Sequence, residues 1–284
     1  MPIAHVNGAD LHFHRSGSGT PLVFIHPPLL TSANFHYQTA QLSDAFTVIT
    51  FDIRGHGFSH ATETALTYPL IAEDMKQLLD FIGMEKAIVC GYSAGATIAM
   101  EAMLAYPDKF VAGIFLSGMP ECSDFMNRSR LQLAVAACNL RAKKMIASAI
   151  CYGNADTRYT FTTLYNSAIH GDVGHWGQYY AQSLSYSCKR RLAGIKQPVL
   201  LIYGKKNKSF YRYANMLRKS LPRNELYLVD GVSHQLPTKA ALHINEIIRG
   251  WAKRTFSAAE NDLPFAAEPH IAREIEKVEN LLHE

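Results

Sequence analysis

No stretch of this 284-residue chain stays apolar for the roughly 20 residues that a membrane-spanning helix requires, so a transmembrane segment is not expected. Met1-Pro2-Ile3-Ala4-His5 lacks a charged segment leading into an apolar one, so no signal peptide is read there. Charge of one sign is also scarce. The formal net charge is +4, and the densest basic clusters, Lys189-Arg190-Arg191 and Lys205-Lys206-Lys208, are too short for a nucleic-acid groove. Both read as solvated surface. The five cysteines are odd in number, widely spaced and free of any C-x-x-C pair, which fits reduced thiols in a cytoplasmic protein. His12 and His14 share one strand face with no third ligand at a useful spacing, so no metal is expected, and no cofactor either. Internal repeats and low-complexity segments are absent as well. These absences leave a cytoplasmic globular protein that engages neither membrane nor nucleic acid.

What is present has a regular rhythm. Asn7-Gly8 between short extended runs predicts a β-hairpin. Buried strands follow at Leu22–Ile25, Phe46–Phe51, Lys86–Cys90, Val111–Leu116, Pro198–Gly204 and Glu225–Val229, each a near-continuous apolar run. Helical segments lie between them. One is capped by Thr31 or Ser32 and runs to about Leu42. Another starts at Pro69, with Ile71, Met75, Leu78 and Ile82 on one face, and stops at Gly83. This alternation predicts an α/β fold with a mostly parallel sheet covered on both faces.

The rhythm breaks between Met119 and Ile195, where helical stretches such as Arg130–Ala149 occur without a convincing strand. Residues 152–186 hold eight aromatics, Trp176 among them. The segment reads as a helical lid inserted after the sixth strand. The expected organisation is a first core part over 1–118, the lid over 119–195, a second core part over 196–254, and a tail over 255–284. Ile271, Ile275, Val278 and Leu282 make that tail an amphipathic helix that packs back on the core or mediates self-association.

The chemistry centres on Gly91-Tyr92-Ser93-Ala94-Gly95, at the junction of an apolar strand and a helix. A Gly-x-Ser-x-Gly there is a nucleophile elbow. Its glycines permit a sharp turn that leaves the serine oxygen at the helix N-terminus. Three further landmarks are in order: His26 after a strand, Asp52-x-Arg54-Gly55-x-Gly57-x-Ser59, and His234 in a Gly-Val-Ser-His turn after the last strand. On these residues the chain resembles the α/β-hydrolase fold superfamily over roughly Thr20 to Thr255. The resemblance implies Ser93 as nucleophile, His234 as general base, and the Ala94 N–H as one oxyanion donor. It also implies that Asp52 shapes a turn, with Arg54 as partner, and does not act catalytically. His26, Tyr92 and Trp176 are candidate pocket residues.

Two positions depart from the family pattern. The third residue after the glycine that ends the strand Val199–Tyr203 is most often aspartate in relatives, and here it is Asn207. Asparagine can accept from a histidine Nδ1–H but cannot stabilise an imidazolium by charge, and its NH2 can select the wrong tautomer. Glu121 and Asp124, after the sixth strand, are alternative acids. Relatives commonly read His-Gly-x at the oxyanion loop, where this chain has His26-Pro27-Pro28. Pro28 has no N–H to give. Either Leu29 donates from a shifted loop, or the oxyanion hole has one arm. The expected activity is hydrolysis of an ester or related acyl bond in a small, largely apolar substrate. The alternatives are a weakened hydrolase acting as a small-molecule binding or signalling protein, and an acyltransferase or lyase on the same scaffold.

Overall fold

The computed structural model describes residues 2–257. The tail expected over 255–284, with its self-association surface, lies beyond them apart from its first three residues.

Eight strands form one sheet: β1 (Ile3–Val6), β2 (Ala9–Ser16), β3 (Thr20–Ile25), β4 (Phe46–Phe51), β5 (Ala87–Tyr92), β6 (Phe110–Leu116), β7 (Val199–Gly204) and β8 (Asn224–Val229). Their order is β1-β2-β4-β3-β5-β6-β7-β8. β2 runs antiparallel to both β1 and β4, and every other pairing is parallel. The β1–β2 connection is the predicted Asn7-Gly8 turn, with φ of 48° and 67° at its two residues, the signature of a primed hairpin turn.

The apolar runs of the central strands follow from burial on both sides. Val23, Ile25, Val89 and Leu201 point into one core cluster. Leu22, Phe24, Ile88, Cys90, Leu200 and Ile202 point into the other. Alternate residues thus serve opposite faces, and neither set can be polar. Helices α2 (Tyr68–Phe81), α3 (Ala94–Ala105) and α8 (Tyr211–Ser220) cover the first face, through residues such as Ile71, Met75, Leu78 and Leu217. Helices α1 (His36–Leu42) and α10 (Ala241–Ser257) cover the second, through Leu42, Ile244, Ile248 and Trp251. A short helix α9 (Leu236–Lys239) precedes α10.

Between β6 and β7 lie α4 (Phe125–Asn139), α5 (Lys143–Asn154), α6 (Arg158–Ala168) and α7 (Val173–Ser185). The single helical stretch expected over Arg130–Ala149 is two helices. Arg141 adopts φ of 52°, and the left-handed residue breaks the run.

The Asp52 loop is held by a buried network. Asp52 accepts from the Ser32 N–H at 2.8 Å and the Phe58 N–H at 3.0 Å, and its Oδ2 lies 2.9 Å from His12 Nδ1. Arg54 does not pair with Asp52. Its Nε donates to Asp74 Oδ2 at 2.7 Å and its Nη2 to Asp74 Oδ1 at 2.5 Å, with both side chains buried. The loop turns Arg54 toward α2, away from the carboxylate two residues earlier. Among the described residues no helix is long and apolar enough to cross a membrane.

Candidate active site

The sheet order reverses between β3 and β5, because β4 lies on the far side of β3 from β5. Loops leaving the C-terminal ends of these two strands diverge, which opens a crevice there. Ser93 follows β5 at that point. Its φ of 55° and ψ of −121° place it outside the regular helical and extended regions, and α3 begins at the next residue. The two elbow glycines are required by packing. A Cβ on Gly91 would sit 2.4 Å from Ala96 Cα, and one on Gly95 would sit 2.3 Å from the Ile25 carbonyl oxygen. The Ser93 N–H donates to the Leu116 carbonyl at 2.8 Å, tying the elbow to the end of β6.

His234 lies on the loop between β8 and α9. Its Nε2 is 2.9 Å from Ser93 Oγ, and its Nδ1 is 3.1 Å from Asn207 Nδ2. The ring packs between Phe210 and Tyr92, with centroids 4.4 Å and 5.4 Å away. Ser117 Oγ donates to the His234 carbonyl at 3.1 Å and fixes the loop from the end of β6. Burial of the ring, followed by the positive charge of Arg130, lowers the His234 pKa to about 4. A carboxylate beside Nδ1 would oppose both effects. Asn207, buried at 5% exposure, cannot. As oriented, its amide nitrogen donates to Nδ1 and leaves the proton on Nε2. A half-turn of the amide would put Oδ1 opposite Nδ1 and free Nε2 to accept.

Ser93, His234 and Asn207 share a cavity of about 680 Å³ with Pro27, Pro28, Tyr92 and Ala94. Three of the four helices between β6 and β7 supply its outer wall. Asn127, Arg130, Leu131 and Ala134 come from one face of α4, Ile150 and Asn154 from α5, and Tyr180 from α7. Tyr92 also reaches this wall directly, its hydroxyl donating to Asn154 Oδ1 at 3.0 Å.

Five other sequence expectations meet different surroundings. Glu121 accepts from Ser187 Oγ at 3.0 Å and pairs with Lys189 at 3.4 Å, outside this cavity. Asp124 caps α4 through the Asn127 N–H at 2.8 Å and accepts from the Tyr213 hydroxyl. Neither carboxylate is brought to His234, because both are committed to local structure. His26 is fully buried and serves as a clamp: its Nδ1 lies 2.9 Å from the Pro27 carbonyl, and its Nε2 accepts from the Ile53 N–H at 2.9 Å. Trp176 is also fully buried, within the core on the α1–α10 side of the sheet, and does not line the cavity. A large ring at a helix's buried position is drawn to the core before the pocket. Leu29, with φ of 71°, keeps its side chain in the same core while its loop borders the cavity through Pro27, Pro28 and Leu30. Sequence reasoning missed Ser117, Asn127 and Arg130. The last two, with Leu131 and Ala134, follow an i, i+3, i+4, i+7 spacing that marks a helix face but not what it faces.

Comparison with known proteins gives the same architecture. The family model for the alpha/beta hydrolase fold matches residues 20–237. The AB hydrolase superfamily protein YisY of Bacillus subtilis is 24% identical over 251 residues, covering 82% of this chain and 91% of that protein. The 2-(acetamidomethylene)succinate hydrolase of Mesorhizobium japonicum is 37% identical over 98 residues, about a third of each chain (34% and 35%). In three dimensions the chain is similar to the enol-lactonase of Burkholderia xenovorans LB400, with a TM-score of 0.79 at 18% identity, over 89% of this chain and 100% of that one. The sheet order, the serine at the reversal of that order and a match spanning most of the sequence lead to one conclusion: the chain belongs to the α/β-hydrolase fold family.

Proposed function

We propose that the protein is a serine hydrolase that cleaves an ester or related acyl bond through an acyl-enzyme on Ser93. The contact between Ser93 Oγ and His234 Nε2, at 2.9 Å, carries this reading. With Nε2 unprotonated, His234 takes the Ser93 proton as Oγ attacks the acyl carbon. The resulting oxyanion lies at the start of α3, where the Ala94 N–H and the helix dipole favour negative charge. Leu29 is the candidate second donor, since neither proline beside the cavity has an N–H. Collapse of the tetrahedral intermediate passes the proton from His234 to the leaving group. A water activated by the same imidazole then releases the acid.

In this reading α4–α7 act as a lid over the nucleophile, and the apolar residues Leu30, Met119, Leu131, Ala134, Ile150 and Tyr180 hold the substrate's hydrocarbon part. With its amide turned by half a turn, Asn207 orients His234 through Oδ1 but leaves the imidazolium without a charged partner, so turnover is slow relative to an enzyme with aspartate there. The named substrate of the Mesorhizobium relative, an amide-bearing succinate, is compatible with acyl chemistry of this kind.

Incubation with a fluorophosphonate and mass spectrometry tests the proposal. Wild-type protein is expected to gain the adduct on Ser93, and Ser93→Ala to gain none. A folded wild-type protein that stays unlabelled would refute it.

A second reading rests on the Asn207 amide nitrogen facing His234 Nδ1. Held in that orientation, the site binds a small molecule without cleaving it. Ligands that raise the melting temperature and are recovered intact, even with Asn207→Asp, would support that reading.

A further inference from the structure

The charges around the cavity are of one sign. Arg130, Lys206 and Lys208 line it together with His234, and no aspartate or glutamate does. The position that would have supplied a carboxylate carries Asn207. Lys206 and Lys208 are exposed, and alone they would read as solvated rim. Arg130 is exposed as well, but it differs from them in being tethered. Its Nη1 donates to Asn127 Oδ1 at 3.4 Å, and Asn127 Nδ2 donates to Asp124 Oδ2 at 2.9 Å. The Tyr213 hydroxyl donates to the same Asp124 oxygen. Asn127 is itself buried at 6% exposure, so the relay is anchored. The guanidinium is therefore aimed by neutral and already committed groups. Among the described residues no carboxylate forms an ion pair with it. Leu131 and Ala134, on the same face of α4, continue the wall in apolar material.

We propose that Arg130 is the anion-binding subsite of this cavity, flanked at the rim by Lys206 and Lys208, and that the substrate carries, besides its scissile acyl bond, a carboxylate or phosphate group. This deepens the serine-hydrolase reading and rests on it for the word substrate. A guanidinium offers parallel donors to either oxyanion, and the neighbouring apolar wall suits a short hydrocarbon link between the two groups. The two lysines raise the local concentration of anionic ligands, an effect that salt weakens. Occupancy also acts on the chemistry. Arg130 helps to keep His234 a poor base, so an anion seated on the guanidinium offsets that charge and strengthens the base when substrate is bound.

Binding and cleavage are tested separately. Calorimetry on the Ser93→Ala protein uses monomethyl adipate, butyl phosphate and, as the neutral control, dimethyl adipate. At least one anionic probe is expected to bind about tenfold or more tightly than the diester, the scale of one charge-assisted contact. The tighter of the two anions identifies the head group. In Arg130→Gln that advantage is lost, while Arg130→Lys keeps part of it, and added salt weakens anion binding only. Equal binding of the diester and both anions, or an unchanged advantage in Arg130→Gln, would overturn the proposal. Should Arg130→Gln fail to fold, the comparison of anions with diester in Ser93→Ala decides alone. Fluorophosphonate labelling of Ser93 in the wild-type protein reports on the hydrolase reading independently. A tight anion with no labelling leaves the subsite standing and removes the hydrolysis.

Discussion

Replacing Asn207 by aspartate puts a negative charge where an amide now lies 3.1 Å from His234 Nδ1. At an effective dielectric near 20, unit charges about 4 Å apart interact by about 4 kcal/mol. That corresponds to roughly three pKa units. The His234 pKa of about 4 would then rise to about 7. In the proposed mechanism His234 works as a base in its neutral form, so the acid limb of kcat/KM is expected to follow its pKa in the free enzyme. In the wild-type protein that limb is expected near pH 4, and in Asn207→Asp it is expected to move up toward neutrality. Below the new pKa the variant loses the protonation state it needs. On the alkaline side the charged partner stabilises the imidazolium and fixes the proton on Nδ1. In a serine-protease triad the equivalent contribution is on the order of 10⁴ in kcat. Hydrolysis of 4-nitrophenyl acetate from pH 4 to 9 would record both effects. A gain of about 10²–10⁴ at pH 8, with the acid limb shifted upward, is expected. An unmoved limb and a rate within about threefold of wild type would show that Asn207 does not govern the base, and would refute this reasoning.

Other perturbations report on separate parts of the structure. Asp74→Ala leaves the Arg54 guanidinium buried and unpaired, so urea denaturation should show a loss of about 3–5 kcal/mol. Gly95→Ala places a methyl group 2.3 Å from the Ile25 carbonyl oxygen, and thermal melting should register a displaced elbow together with lost Ser93 labelling. Ser117→Ala removes the bond to the His234 carbonyl, which is worth about 0.5–1.5 kcal/mol. A severalfold drop in kcat with KM little changed would show that Ser117 positions the base, whereas an unaltered kcat would dismiss that role.

The sheet was legible because its central strands are buried on both faces and must be apolar at every position, as Leu22–Ile25 and Leu200–Ile202 are. The elbow was legible because the crowding around Gly91 and Gly95 leaves little choice of residue. The position of Asn207 could be found by counting from the glycine that ends β7. Side-chain partners were harder. Arg54 sits two residues from Asp52 yet pairs with Asp74, twenty positions away, because the loop turns its side chain toward α2. The cavity wall was least accessible. Whether α4 shows Arg130 or Leu133 to Ser93 depends on how four helices pack, and local spacing does not encode that rotation. Trp176 and His26 looked like pocket residues by type and position, but one fills the core and the other joins two loops.

Ser93 holds its oxygen toward His234 only by adopting φ of 55° with a side chain attached. A backbone held in so sparsely populated a region costs on the order of 1–3 kcal/mol, and the surrounding structure must sustain it. Glycine would accept the same angles freely. Ser93→Gly should therefore melt at a higher temperature than the native protein while losing all capacity for covalent labelling. Selection for robustness and selection for reactivity pull in opposite directions on this one residue. A serine standing there against its own conformational preference is what the proposed nucleophile requires, an argument from thermodynamics and not from likeness to any relative.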